Sequence, residues 1–304
     1  MSVTGSHSTH GARGTHGKQT ASDTPGTPGA QTAPGTHGAQ TVPGTPGAQG
    51  TPAGPAAFSA ESRWIRRAAR PSAALRLICL PFAGGGASVF ADLPGLLPES
   101  VEVVAVQPPG REDRSREDAP GDLGALVRAC AVALRPYCTV PYALYGHCAG
   151  ALLAYEVAQT MGERFGVWPR TLVAGAQPAP HLPPSGPVLH ELPDAELLGV
   201  VRARGGIPDA LLGTPAFLAF LLPVLRADFR LWERYEYHAR PPLPVPVTTL
   251  RGRDDRLVGP RDAQAWREHT SVGASDRLVD GGHYFIKDMS LDAARTLAEA
   301  LLTQ

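Results

Sequence analysis

The segment "LYGHCAG", residues 144–150, has the frame of the nucleophile elbow G-x-S-x-G, with a cysteine at the serine position. A strand-like run, "PYALYG" (141–146), precedes it, and a helical run, "AGALLAYEVAQTMG" (149–162), follows. An elbow needs small residues beside the nucleophile, because strand and helix approach closely at a strained turn. This context predicts that Cys148 is a nucleophile. A buried structural thiol is the alternative interpretation.

The position of Cys148 also favours a reactive thiolate, because a helix begins just beyond it and a helix N-terminus lowers the pKa of a thiol. The other three cysteines lack such a context and are predicted to be structural: Cys79, Cys130 and Cys138. The four cysteines form no C-x-x-C pair and no dense disulfide framework, so we expect a reduced, cytoplasmic protein.

The composition of the chain changes near residue 60. The first segment repeats Thr-Pro-Gly and Gly-Ala-Gln units, as in "GTPGAQTAPGTHGAQ" (26–40), and has almost no large apolar side chain. Such a segment cannot bury enough surface to offset its ordering entropy, so residues 1–60 are predicted to be a disordered tail and residues 61–304 the folded domain. The histidines of the tail are too scattered to predict a metal site: His7, His10, His16 and His37.

Charge and hydropathy exclude several classes of protein. The formal net charge is zero, which argues against nucleic acid as the main partner. The sequence shows neither a secretory signal nor an apolar run long enough to span a bilayer, and we expect a monomer. The basic run "RWIRRAAR" (63–70) is interpreted as a solvated flank, with an acidic partner as the alternative.

From residue 73 onward, short apolar runs alternate with amphipathic runs, which predicts an α/β fold with a mostly parallel central sheet and helices on both faces. The region 182–240 interrupts this alternation, being helical and apolar with no strand. We interpret it as a helical lid insertion over the site; an ordinary pair of packing helices is the alternative. The strand-like runs are 75–82, 101–110, 141–146, 170–180, 245–255 and 276–283, and the helical runs are 122–137, 149–162, 261–269 and 290–304.

A nucleophile needs a base, and the base needs an orienting group. Where an elbow of this kind occurs, the order along the chain is nucleophile, acid, histidine. "TLRGRDDRLV" places Asp254 and Asp255 directly after a strand, and "DGGHYF" places His283 in a loop after the last strand. Both segments lie at strand ends, where open α/β sheets bind ligands. We predict His283 as the base and Asp255, rather than Asp254, as its partner.

The third requirement is a pair of donors for a developing oxyanion. One is the backbone N–H of Ala149, directly after the nucleophile, and the other is expected from the loop "PFAGGGAS" (81–88). A glycine-rich loop also suggests a phosphate cradle. That alternative is disfavoured because no G-x-G-x-x-G frame opens a helix here and no G-K-[ST] follows.

Taken together, these motifs resemble the type II thioesterases, stand-alone α/β-hydrolases that accompany polyketide synthases and non-ribosomal peptide synthetases. The resemblance covers about three-quarters of the chain and implies an α/β-hydrolase fold, a Cys148–His283–Asp255 triad and Ala83 as the second oxyanion donor. It also implies an acyl thioester on carrier-protein phosphopantetheine as substrate, with no cofactor or metal. The matching segments are "LPFAGGGAS", "VQPPGREDRSRE", "LYGHCAGALLAYEVA", "LRADFRLWERYEY", "LRGRDDRLV" and "GGHYFI".

The chain departs from the family in its tail and in having cysteine where most members have serine. Attack by cysteine on a thioester yields another thioester, so acylation is nearly isoenergetic and reversible. The sequence therefore predicts hydrolysis of acyl or aminoacyl groups, with transfer between carrier thiols as the alternative. Engineered replacement of a natural serine is a third possibility. An inactive carrier-binding module and an esterase acting on free small molecules are the competitors from other classes.

Overall fold

A computed structural model describes residues 57–302, with gaps at 185 and 208. The described residues all belong to one compact unit. Most of the predicted tail, including its four histidines, lies outside the described residues.

The described strands form one sheet of eight strands. They are β1 (Ser59–Ala60), β2 (Ile65–Ala68), β3 (Leu75–Leu80), β4 (Val101–Val106), β5 (Tyr142–His147), β6 (Leu172–Gly175), β7 (Val247–Gly252) and β8 (Ala274–Val279). Their order in the sheet is β1-β2-β4-β3-β5-β6-β7-β8. Strands β3 to β8 pair in parallel, whereas β1 and β2 add antiparallel at one edge. The predicted α/β-hydrolase fold with a mostly parallel sheet is thereby confirmed.

Helices cover both faces of the sheet. Asp122 caps the helix that follows it and accepts a hydrogen bond from the Ala125 N–H at 2.6 Å, and the helix behind the elbow is followed by Gly166 in the left-handed conformation. The α-helices are α1 (Leu93–Leu96), α2 (Leu123–Leu134), α3 (Ala149–Phe165), α4 (Asp194–Ala203), α5 (Asp209–Leu212), α6 (Pro215–Glu233), α7 (Pro260–Gln264) and α8 (Leu291–Leu302). Short 3₁₀ turns are Ala87–Phe90, Glu112–Arg114, Arg135–Tyr137, Leu189–Glu191, Ala265–His269 and Phe285–Asp288.

The alternation of side chains along β3 separates two apolar cores. Ile78 and Leu80 pack with residues of α2 and α3 on one face, whereas Leu75 and Leu77 pack with residues of α1 and α8 on the other. Because both faces are covered, the parallel strands read as nearly continuous apolar runs, which is the pattern that the sequence shows.

The chain between β6 and β7 is helical, as the sequence analysis expected for 182–240. It contains α4, α5 and α6, and in α6 a buried stripe formed by Val224, Leu225 and Phe229 faces the rest of the protein. Since β6 ends at the same edge of the sheet as β5, this block lies beside the elbow.

Two segments near residue 60 differ from expectation. Ser59 and Ala60, assigned to the tail, pair with β2, so the sheet begins before residue 61. The basic run 63–70 contains β2 rather than a solvated flank. Arg66 pairs with Asp113 and Arg67 with Glu102, so these charges are satisfied within the domain. No local pattern shows this strand, because its two arginines find acidic partners in other segments of the chain.

Two smaller differences lie at helix ends. The run 261–269 is a five-residue α-helix, α7, continued by a 3₁₀ turn, and the terminal helix is described only as far as Leu302. Within the described residues, no helix combines the length and the apolar character that crossing a membrane requires.

Candidate active site

Cys148 occupies the sharp turn between β5 and α3. Its backbone has φ 51° and ψ −126°, a conformation that non-glycine residues rarely adopt and that costs about 1–3 kcal/mol. The neighbouring glycines make the turn possible. A Cβ on Gly146 would lie 2.0 Å from the carbonyl oxygen of Gly150, and one on Gly150 would lie 2.2 Å from that of Leu80. The elbow predicted from the sequence is therefore built by backbone contacts that only glycine allows.

This close approach leads to a stability prediction. We expect Gly150→Ala to lower the free energy of unfolding by about 3 kcal/mol, because the added methyl group meets backbone atoms that cannot move aside. Gly199→Ala is the matched control, since Gly199 lies in α4 with open space around it and alanine favours helix. Urea unfolding of both variants is the measurement. A Gly150→Ala protein as stable as the wild type would contradict the steric account.

His283 and Asp255 meet at the ends of the last two strands. The Nδ1 of His283 lies 2.9 Å from Oδ2 of Asp255, and Oδ1 of Asp255 accepts the N–H of Leu257 at 2.8 Å. The Asp255 side chain is fully buried, whereas Asp254 is exposed. The geometry thus brings Asp255, and not its neighbour, against the imidazole.

His147 supports this arrangement from inside the elbow. Its Nε2 donates to the carbonyl oxygen of His283 at 2.8 Å, so its Nδ1 is an acceptor, facing the hydroxyl of Tyr145 at 2.9 Å. Burial, together with the charge of His283, lowers the pKa of His147 to about 3, so this imidazole is neutral. His147 therefore joins the nucleophile turn to the His283 loop and is not a second base.

The electrostatics of the site favour a thiolate–imidazolium pair. Burial alone would raise the pKa of the Cys148 thiol, but the charge of His283 and its hydrogen bond lower it below the ordinary value. Burial alone would also lower the pKa of His283, yet the Cys148 thiolate and Asp255 raise it to about 9. For Asp255, the hydrogen bond and charge of His283 outweigh burial and lower the carboxyl pKa.

The other cysteines have the opposite electrostatics. Burial raises the pKa of Cys130 and of Cys138 to about 12 and raises that of Cys79 well above the usual value. Only the thiolate is a good nucleophile. Among the cysteines, all four of which lie in the described part of the chain, Cys148 alone has a lowered pKa.

A cavity of about 360 Å³ opens onto Cys148 and His283. Ala83 and Ala149 both line it, and the N–H of Ala149 is directed at the Cys148 sulfur. Within the described residues, the N–H of Ala83 makes no hydrogen bond to another protein group. The two predicted oxyanion donors thus border the same cavity as the thiol.

Comparison with known proteins identifies the family of this chain. The model of the thioesterase domain family matches residues 75–302. The chain belongs to the thioesterase family. The gramicidin S biosynthesis protein GrsT of Aneurinibacillus migulanus is 34% identical over 244 residues, which are 80% of this chain and 95% of GrsT.

Two solved thioesterases are also similar. RedJ, from the prodiginine pathway of Streptomyces coelicolor, has 39% sequence identity and a TM-score of 0.71, with 77% of this chain and 92% of RedJ covered. BorB, the type II thioesterase of the borrelidin biosynthetic cluster, has 34% identity and a TM-score of 0.69, with 80% of this chain and 98% of BorB covered.

The insertion between β6 and β7 forms one wall of the cavity of this thioesterase. Phe229 and Trp232 of α6 line the cavity, and Arg204, at the end of α4, adds a positive charge that lowers the pKa of Cys148 further. No group of three or more His, Cys, Asp or Glu side chains in the described part of the chain is placed to hold a metal ion.

Three charged residues near the site were not predicted from the sequence. Arg204 borders the cavity, while Arg111 and Asp228 form a buried ion pair that contacts the loop 81–88, here called the oxyanion loop. Asp228 could have been singled out from the sequence, because its carboxylate interrupts the apolar stripe of α6. Arg111 lies in the quoted segment "VQPPGREDRSRE", whose spacing shows no partner.

Proposed function

We propose that this thioesterase hydrolyses acyl or aminoacyl groups from the phosphopantetheine thiol of carrier proteins through an acyl-enzyme on Cys148. The observation that carries the proposal is the Cys148–His283–Asp255 alignment at the mouth of a cavity that two backbone N–H groups border. The similarity to GrsT, RedJ and BorB supports a carrier-bound intermediate of non-ribosomal peptide or polyketide biosynthesis as substrate.

Acylation begins with attack of the Cys148 thiolate on the thioester carbonyl carbon. The carbonyl oxygen gains the negative charge and accepts hydrogen bonds from the N–H groups of Ala83 and Ala149. Collapse of this intermediate breaks the bond between carbon and the carrier sulfur. The His283 imidazolium gives its proton to the departing thiolate, which leaves as the free carrier thiol.

Deacylation repeats these steps with water. Neutral His283 takes a proton from water as the oxygen adds to the Cys148 thioester, and the same N–H groups hold the second oxyanion. Collapse breaks the bond between carbon and the Cys148 sulfur, so the acyl group leaves as a carboxylic acid. Asp255 keeps the imidazole oriented and stabilises its positive charge throughout.

Transfer to a second carrier thiol is the alternative, and one observation favours it. The lowered pKa of Cys148 makes its thiolate a good leaving group, and an acceptor thiol that takes the acyl group exchanges one thioester for another, so the free energy changes little. Transfer of the acyl group from a seryl ester to an acceptor thiol, in contrast, is unfavourable in free energy. A two-carrier assay, with an acylated donor and an empty acceptor followed by intact-mass spectrometry, separates the two functions.

We expect the wild type to release free acid and to leave the acceptor empty, with Cys148→Ser keeping measurable hydrolysis. Acceptor acylation by the wild type that disappears in Cys148→Ser would establish transfer instead. Release from a short acyl ester faster than from the acylated carrier would contradict a carrier-bound substrate and favour an esterase.

The shifted pKa values of Cys148 and His283 predict how thiol alkylation and thioester turnover depend on pH. Alkylation by iodoacetamide reports the thiolate, so we expect its midpoint below pH 9, because His283 lowers the pKa of Cys148. Thioester turnover needs both thiolate and imidazolium in acylation. It is therefore expected to rise as Cys148 deprotonates and to fall as the pH passes through about 9, where His283 loses its proton. An alkylation midpoint at or above pH 9 would contradict the ion pair.

A further inference from the structure

Arg111 and Asp228 form a buried ion pair between the loop after β4 and the middle of α6. Nη1 of Arg111 lies 2.6 Å from Oδ2 of Asp228, and Nη2 lies 2.9 Å from Oδ1. The two residues are 6% and 5% exposed. A buried pair is favourable only when further hydrogen bonds satisfy its charges, so the remaining contacts of both side chains indicate what the pair holds in place.

Those contacts go to the oxyanion loop. Oδ2 of Asp228 accepts the backbone N–H of Gly84 at 2.7 Å, and Nη1 of Arg111 donates to the carbonyl oxygen of Gly85 at 3.2 Å. Gly84 directly follows Ala83, whose N–H borders the cavity. Both members of the pair therefore hold the backbone immediately beyond the oxyanion donor.

Helix α6 also packs directly on this loop. Gly84 has φ +81°, and a Cβ there would lie 2.6 Å from Cδ2 of Leu225, which is one helical turn before Asp228. The Leu225 side chain thus packs directly against the backbone of Gly84. The position of α6 sets the position of the Gly84 peptide.

Gln107 supports the same arrangement from the end of β4. Its Oε1 accepts the N–H of Ala87 at 2.8 Å, and its Nε2 donates to the carbonyl oxygen of Arg111 at 3.1 Å. The oxyanion loop is therefore held at Gly84 and Gly85 by the ion pair and at Ala87 by Gln107.

We propose that Arg111 and Asp228 are positioning residues for the oxyanion hole, and this rests on the proposed acyl-enzyme mechanism. The pair fixes the peptide plane between Ala83 and Gly84, which restricts rotation about Ala83 and keeps its N–H aimed into the cavity. Neither side chain needs to touch the substrate. The two residues come from segments far apart in the sequence, Arg111 from "PPGR" and Asp228 from "LRAD".

The test compares two reactions of Cys148 that differ in their need for an oxyanion hole. Acylation by the S-acetyl thioester of N-acetylcysteamine forms an oxyanion, whereas alkylation by iodoacetamide is a displacement that forms none. In Asp228→Asn and Arg111→Lys we expect acylation to slow by about tenfold to a hundredfold, since a misplaced donor loses most of its effect. Alkylation is expected to stay within about twofold of the wild type, because the thiolate–imidazolium pair is intact.

Asp194→Asn is the matched control. Asp194 forms an ion pair with Arg226 of α6 but lies at the exposed start of α4, away from the oxyanion loop. It is expected to leave both reactions unchanged. Arg111→Lys keeps the buried positive charge, so it serves as the informative variant if Asp228→Asn does not fold.

Acylation of both variants at the wild-type rate would overturn the positioning role while leaving the proposed function intact. A parallel loss of acylation and alkylation would also overturn it, because a general structural defect lowers both. If the wild type itself is not acylated at Cys148, the proposed function fails and this inference fails with it.

Discussion

The Cys148→Ala variant is expected to lose at least about a thousandfold in thioester hydrolysis, because it removes the sulfur that forms the acyl-enzyme. The remaining activity comes from binding and the oxyanion donors alone. Alanine is small and fits the elbow, so the variant is expected to unfold at the wild-type temperature. Release of free carrier thiol, measured with a thiol-reactive dye, gives the rate.

Cys138→Ala is the matched control for this experiment. Cys138 is a partly buried thiol with its pKa raised to about 12 by burial, and it does not border the cavity. Its loss is expected to leave hydrolysis unchanged. A Cys148→Ala protein retaining more than a few per cent of the activity would show that another group, or water directly, cleaves the thioester.

The second large effect is expected for His283→Ala, which removes the group that maintains the thiolate and protonates the leaving thiol. Acylation is expected to slow by about 10²–10⁴-fold at neutral pH. The pH midpoint for alkylation of Cys148 is expected to rise, because burial still raises the thiol pKa and the lowering charge of His283 is gone. Alkylation rates between pH 6 and 10 measure this shift.

His238→Ala is the control, since His238 is exposed and does not border the cavity. Asp255→Asn is expected to cost less than His283→Ala, because a thiolate–imidazolium pair depends less on its orienting carboxylate than a serine hydroxyl does. An unchanged alkylation midpoint in His283→Ala would contradict the ion pair, and a larger effect of Asp254→Asn would contradict the choice of Asp255.

Local sequence patterns were sufficient for the elbow. The elbow signal is local: the strand, the Gly146 and Gly150 frame and the helix all fall within about twenty residues. The steric contacts that require glycine at position 146 are formed within this same short segment. Asp255 and His283 followed from a topological rule, because the carboxyl ends of parallel strands meet at one edge of the sheet. The sequence therefore located the three groups that the structure brings together.

Local sequence patterns of this kind do not predict the Arg111–Asp228 ion pair. Its partners are 117 positions apart, and only the packing of α6 on the oxyanion loop brings them into contact. Likewise, the sequence did not predict strand β2, because its arginines form ion pairs with Asp113 and Glu102 elsewhere in the chain. Ion pairs between distant segments form only in the folded chain, and no local spacing of residues predicts them.

The most direct test of the Cys148 acyl-enzyme is intact-mass spectrometry of the wild type, quenched in acid within milliseconds to seconds of mixing with an acetylated carrier protein. We predict one acetyl adduct, mapped by peptide digestion to Cys148, that appears with the loss of acetyl from the carrier and decays as acetate forms. The adduct is predicted to be absent in Cys148→Ala. Acetate release at the same rate by wild type and Cys148→Ala, with no adduct in either, would contradict the account.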